Sequence, residues 1–510
     1  MNFVDTFITQ SVFTAVICVL CSVLLIILLK WTRVKKLKLP PGPKGWPFIG
    51  NLPVLFQDPG TTNDEYYYTR WARQYGDIYK LKLGSKMMYV LCKFDYVREA
   101  FNHSYIQRRP PGVAYQIAFG PEAKGIVLAS GSEWKVMKQF AVGVFRELGV
   151  GKGVFETRIR AETERLMLKL DSIGGSSSIC PNLMELFYIA VCNITCGITF
   201  GIQFDYDDSR FKAIVNVMQT FSHSIGPSAI VLTSRLLCGL PFGPGKATRG
   251  CLSKFKEFLE LEIEKHDSKS ACSAEKSSST TFVGAFLGEL NKGADENFNK
   301  VNLITCCLEL FFAGTETTSI TLYFTILCLV ANPKVRDEAQ REVDAFIIDN
   351  GMMPCYGDRS KLPYVQSIIL EAHRMLILTP LGLAHEAERD LQLFGYDVPK
   401  GTLLVPNVGS LFMNPEMFPD PKTFKPERYI KDGHFEAVPD VIPFSTGRRA
   451  CLGEQLARME IFLFLTNLLH RYNIDKPEGT EMPNILEGRC GGTRVPFPHT
   501  VVISKRNIAT

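Results

Sequence analysis

The stretch FSTGRRACLG, Phe444 to Gly453, restricts this chain more than any other segment. In Phe444-x-x-Gly447-x-Arg449-x-Cys451-x-Gly453 one cysteine stands at fixed offsets from a ring, two glycines and a guanidinium. Average residue frequencies produce that pattern on the order of once in ten thousand chains of this length. The general alternative is a buried structural cysteine, since free cysteine is among the most buried residue types. Such a cysteine needs a hole to fill and none of these neighbours. After Gly453 the sequence EQLARMEIFLFLTNLL carries apolar residues at helical spacing. Cys451 is therefore expected at a helix N-terminus, where free N–H groups and the helix dipole favour a negative sulfur.

Gly447 and Gly453 can adopt backbone angles closed to other residues and let a flat partner approach the chain. Arg449 presents a fork that suits a carboxylate on that partner. A flat, carboxylate-bearing group held through a thiolate is haem. Zinc is the weaker alternative, because no second cysteine or histidine lies at finger spacing.

The chain has 510 residues, 46% of them hydrophobic, which is ample for a large core. No repeat period or dividing linker is evident. A net charge of +5 is small for this length and does not indicate a nucleic-acid partner. From Val12 to Leu29 the run VFTAVICVLCSVLLIILL carries no charge. It is long enough to cross a bilayer as a helix. A cleaved signal peptide is the alternative, but no positive segment precedes the run and no small-residue cleavage site follows it. Lys30, Arg33, Lys35, Lys36 and Lys38 follow at once, which places the rest of the chain in the cytosol. The fifteen cysteines are then expected as reduced thiols and not as a disulfide framework.

Three parts result: residues 1–38 as a membrane anchor with its basic flank, 39–50 as a proline-rich hinge, and 51–510 as the catalytic domain. The hinge, LPPGPKGWPFIG, is rich in residues that break helices and sheet ladders. Ile78 to Cys92 reads as a hairpin turning at Gly84-Ser85. Phe155–Leu170 and Leu252–Lys265 read as helices. The serine-rich run from Asp267 to Thr281 reads as a loop. Helical patterns then continue to Arg374, and proline-punctuated segments fill Thr379 to Pro443. The chain is mostly α with a smaller β region.

The Phe444–Gly453 segment closely resembles the haem loop of the cytochromes P-450. The resemblance extends over nearly the whole chain and is nearest to the animal microsomal group that metabolises drugs and lipids. It implies a single-domain body behind the N-terminal transmembrane helix, and haem b with Cys451 as axial ligand. Three further segments share it. FFAGTETTS, Phe311 to Ser319, resembles the helix that crosses the distal face of the haem. There Gly314 leaves room for dioxygen, and Glu316-Thr317 is the acid–alcohol couple that steers protons to the bound oxygen. A helix whose threonines merely bond back to the previous turn is the alternative. EAHR with PERY supplies Glu371, Arg374 and Arg428, a buried cluster that holds the fold around the haem loop. WKVMK places Trp134 and Lys138 at the family's Trp-x-x-x-Arg, whose arginine binds a haem propionate. Lys138 departs from that pattern and offers a point charge without the fork. Arg109 and His385 resemble further propionate contacts.

The implied reaction is monooxygenation of a small apolar substrate, be it steroid, fatty acid or xenobiotic. Electrons come from NADPH through a flavoprotein reductase, with cytochrome b5 as a candidate second donor. No GxGxxG fingerprint is present, so a partner supplies flavin and nicotinamide. Lys135, Lys138 and Arg448 are expected to face that reductase. The implied location is the endoplasmic reticulum membrane, single-pass, with the catalytic domain cytosolic. Substrate contacts are expected from Pro111–Gly125, Phe221–Leu237, Phe312–Thr317, Ile377–Leu383 and Gly492–Val495. Two other functions fit the same scaffold: an isomerase or dehydratase acting on peroxides, and a non-catalytic haem-based ligand binder.

Overall fold

The computed structural model describes residues 37–56, 66–173, 177–180, 182–225, 238–240, 242–272, 281–490 and 492–507. The expected membrane span, Val12 to Leu29, lies outside them. The body is mostly α-helical with a smaller strand region. Five helices build the site: α1 (Gly131–Glu147), α2 (Leu183–Thr199), α3 (Lys300–Ala331), α4 (Pro363–Leu376) and α5 (Glu454–Arg471).

Helix α3 is the axis of the molecule. Among the described residues it alone is long and apolar enough to cross a membrane, yet 83% of its apolar window is buried inside the protein. It is a core helix, apolar all round because protein surrounds it. Asn299 caps it by accepting from the Asn302 N–H at 2.8 Å. Helix α2 is equally apolar and packs along it. Pro363 opens α4, where a missing N–H costs nothing.

The main sheet has the order β1 (Ile78–Leu83), β2 (Lys86–Leu91), β4 (Leu403–Pro406), β3 (His385–Glu386). The expected hairpin is β1–β2, turned at Gly84. β2 runs parallel to β4 and β3 antiparallel to it, with His385 opposite Leu404. A second hairpin, β5 (Gly488–Cys490) with β6 (Arg494–Pro496), lies near the C-terminus and packs on α3.

One local expectation changes. The helix containing Leu252–Lys265 runs from Gly243 to Cys272, so Asp267 to Cys272 is helical and not loop. The proline-rich segment is tied to the sheet. The Lys80 N–H donates to the Pro41 carbonyl at 2.8 Å, the Asn51 N–H donates to the Lys82 carbonyl, and Gly50 bridges Leu83. Prolines cannot extend a ladder, but the Pro41 carbonyl still accepts from the edge of β1.

Candidate active site

The loop before α5 is a tight, backbone-knotted turn. The Cys451 N–H donates to the Phe444 carbonyl at 2.9 Å, and the Ala450 N–H donates to that of Gly447. Gly447 has φ +79°, and a Cβ there would overlap the Phe101 carbonyl. Both facts exclude any other residue. Gly447→Val is therefore expected to cost about 3 kcal/mol or more. A denaturant midpoint equal to that of the wild type would contradict this. Gly453 differs from expectation. Its φ is −92°, which any residue adopts, and a Cβ there meets no protein atom. Phe444 packs edge-on against His373, with the Arg458 guanidinium 4.8 Å from its ring centre.

Cys451 keeps an accessible surface while protein walls it closely. Burial pushes its thiol up, the Gly453 N–H pulls it down, and the Glu454 charge adds to the rise. The helix N-terminus alone thus does not keep this sulfur ionised; a bound cation would.

Two arginines are buried at the loop, Arg449 within it and Arg109 beside it. Arg449 donates through Nη2 to the Ala129 carbonyl at 2.6 Å and through Nε to that of Gln107 at 3.1 Å, with Trp134 3.9 Å beneath it. Arg109 donates through Nη1 to the carbonyls of Leu383 and Ala384 at 2.7 and 2.9 Å. Its Nε is buried without a partner. Among the described residues neither arginine forms an ion pair. Burial lowers Arg109 to about 10. Burial, then the charge of Arg109, lowers Arg449 to about 9. Two neighbouring cations outside any ion pair among the described residues, one with an orphaned donor, fit a partner carrying carboxylates.

His385 is buried, stacked on Phe101 at 3.8 Å, with Nδ1 2.7 Å from the Ile106 carbonyl. Burial first, then Arg109, lowers it to about 3. The ring is neutral, and Nδ1–H donates to that carbonyl. Nε2 is then an acceptor and must take up a proton before it can donate to a carboxylate. Lys138 departs from expectation more plainly. Its ammonium donates to the Arg448 carbonyl at 2.6 Å and lies 5.1 Å from the Trp134 ring centre. The shorter, unforked head ties α1 to the cysteine loop. Lys135 and Arg448 are exposed.

On α3, accessible positions interrupt the burial at Phe312–Gly314 and at Thr317. Ala313 and Thr317 lie one turn apart on one face. The Thr317 hydroxyl donates back to the Ala313 carbonyl at 2.7 Å. Glu316 is buried and accepts from the Thr493 hydroxyl at 2.6 Å. Acid and alcohol therefore each hold a partner outside the expected couple. Gly314 also has another use. A Cβ there would stand 3.2 Å from Thr195 Oγ1, so its bare backbone makes room for α2. Phe312 meets Phe221 and Phe255, with ring centres 4.3 and 5.2 Å away, which gives this part of α3 an aromatic wall. Most of the expected contact segment Phe221–Leu237 lies outside the described residues.

Glu371 and Arg374 are fully buried on α4 and form a two-pronged pair, both contacts 2.8 Å. Arg428 Nε joins at 3.0 Å, and the Tyr429 hydroxyl donates to the other carboxylate oxygen at 2.9 Å.

Sequence reasoning missed Glu309. Its carboxylate accepts backbone N–H groups from Ile126, Val127 (2.8 Å) and Leu128 (3.3 Å). Burial raises it to about 7, against those hydrogen bonds and the charge of Arg449. The signal was present: Glu309 is the sole charged residue between Val301 and Thr315. Glu309 on α3 and Arg449 in the cysteine loop thus grip opposite sides of the 126–129 strap.

A cysteine left accessible at the start of a core helix, next to two buried arginines outside any described ion pair, fits a haem-thiolate oxygenase. The chain belongs to the cytochrome P450 family, whose sequence model matches residues 40–502, and it is a cytochrome P450 monooxygenase. It is similar to Cytochrome P450 2B19 of Mus musculus, 32% identical over 464 residues, 90% of this chain and 92% of that protein. It is also similar to Cytochrome P450 2U1 of Homo sapiens, 30% identical over 516 residues, 96% of this chain and 93% of that protein. Cytochrome P450 2J2 of Homo sapiens is 31% identical over 467 residues, 90% of each chain.

Proposed function

We propose that this chain inserts one oxygen atom from dioxygen into a small apolar substrate, with NADPH electrons delivered by a flavoprotein reductase at the endoplasmic reticulum membrane. The observation that carries the reading is the pair of buried guanidiniums, Arg449 in the Cys451 loop and Arg109 beside it, neither in an ion pair among the described residues. Haem b, bound there, supplies the iron at which dioxygen is activated. Arg109 and Arg449 hold its carboxylates, Trp134 supports Arg449 from beneath, and His385 closes the cluster once it takes up a proton. Phe444 and Gly447 fix the loop, and Gly453 aims its N–H at the Cys451 sulfur.

Thr317 holds a hydroxyl proton on the accessible face of α3, and Glu316 one residue earlier replenishes it from solvent. Phe312 and its aromatic neighbours exclude water and favour an apolar ligand. Exposed Lys135 and Arg448 attract an acidic reductase surface, and Lys138 fixes the Arg448 backbone there. The apolar run Val12–Leu29 holds the enzyme on the membrane, and cytochrome b5 serves as a second donor.

The test combines the membrane-bound full chain, reductase, NADPH and isotopically labelled dioxygen with a panel of steroids, fatty acids and drugs. Product carrying one labelled atom, with label also in water, is expected. NADPH-independent conversion of a peroxide substrate, without label from dioxygen, would instead identify an isomerase or dehydratase.

A further inference from the structure

Val127 is held at both ends of its own backbone. Its N–H donates to Glu309 Oε2 at 2.8 Å, and its carbonyl accepts from Arg449 Nη1 at 3.4 Å. Its neighbours repeat the pattern. The Ile126 N–H donates to Glu309 Oε2 and the Leu128 N–H to Oε1 at 3.3 Å. The Ala129 carbonyl accepts from Arg449 Nη2 at 2.6 Å. In these bonds the N–H groups serve α3 and the carbonyls serve the cysteine loop.

The charges suit that polarity. The carboxylate lies at the N–H ends of the peptide dipoles and the guanidinium at the carbonyl ends. Burial raises Glu309; the three N–H groups and then the charge of Arg449 draw it back down. Two further features fix the strap against α3. Asn302, two turns before Glu309, accepts from the Gly125 N–H through Oδ1 at 2.8 Å. A Cβ at Gly125 would overlap the Glu309 carboxylate, so a bare backbone is what lets the acid come this close.

The strap in turn aims the arginine. A guanidinium has five N–H donors. The carbonyls of Gln107, Val127 and Ala129 take one from each nitrogen of Arg449. One N–H is left on each terminal nitrogen, and the direction of that pair follows from where the strap holds the other two.

We propose that Glu309 is a positioning residue for the haem: by holding the N–H groups of the strap it sets the angle at which Arg449 meets a haem carboxylate. The inference rests on the reading above, in which Arg449 binds that carboxylate. A neutral side chain of the same size weakens the hold. In Glu309→Gln one oxygen remains, and an NH2 group then faces N–H groups that it cannot accept.

The test is Glu309→Gln in the full-length, haem-loaded protein. Transfer of haem to an excess of a tighter-binding globin is one readout, and the carboxylate bending band of the haem in resonance Raman is the other. Transfer is expected to be about tenfold faster, the factor that loss of one charge-assisted hydrogen bond supports. The band is expected to shift in the direction in which Arg449→Lys shifts it. The two substitutions together should speed transfer by less than the product of their separate factors, since both act through the strap. Should Glu309→Gln not fold, Glu309→Asp, which keeps the charge with a shorter reach, is expected to show the same changes in smaller measure. Lowered thermal stability with an unshifted band and unchanged transfer would mark a purely structural carboxylate and overturn the proposal. Factors that multiply in full overturn it too. A wild type without the thiolate spectrum, or an Arg449→Lys band equal to that of the wild type, overturns instead the reading beneath it.

Discussion

Cys451→Ser is expected to abolish monooxygenase activity and to remove the red-shifted Soret band of the reduced, carbon-monoxide-treated protein. The fold should survive. Cys451 contributes its N–H to the Phe444 carbonyl, a bond that serine keeps, and its side chain fills no core position. The sulfur is what changes. Burial pushes the thiol up, and only the Gly453 N–H opposes this from the protein side. Ligation therefore depends on a group that ionises readily when a metal approaches, which a thiol does and a serine hydroxyl does not. A serine variant with the wild-type spectrum and activity would show that some other side chain binds the iron, and the roles given to Arg449 and Arg109 would fall with it.

Glu371→Ala is expected to leave no stable folded enzyme. Glu371 and Arg374 are fully buried, and the carboxylate also accepts from Arg428, Tyr429 and the Lys425 N–H. Removing it strands the Arg374 charge where water does not reach, at a cost of about 3–5 kcal/mol. That is a large share of the total stability of an ordinary protein, about 5–15 kcal/mol. Glu371→Gln keeps the volume and one acceptor and should fall between alanine and wild type. Thermal unfolding and the yield of haem-loaded protein read both variants. A melting temperature within a degree or two of the wild type for Glu371→Ala would show that this cluster does not hold the fold.

The residues legible in the sequence were those whose chemistry is local. The Cys451 loop, the start of α5 and the β1–β2 hairpin each follow from a few adjacent residues. Glu371 and Arg374 share one turn of a helix, so their pairing could be read directly. Arg109 and His385 could be placed only by resemblance, since strand pairing and a distant loop bring them to residue 449. Lys138, Glu316 and Gly314 were found at expected positions with other partners: the Arg448 carbonyl, the Thr493 hydroxyl and Thr195. Those partners are 177 to 310 residues away for the first two, beyond the reach of any local pattern. Glu309 was missed for a related reason. Its partners are backbone N–H groups, which leave no trace in residue identity.

That last feature bears on how much of the sequence the scaffold leaves open to change. The 126–129 strap is gripped by its main chain: Glu309 takes the N–H groups of Ile126, Val127 and Leu128, and Arg449 takes the carbonyls of Val127 and Ala129. A grip of that kind is blind to spelling. Val127 and Leu128, both half-buried, can be exchanged for other side chains while the ribbon stays where it is. Side chains can therefore change along this stretch without reopening the question of how the scaffold is built.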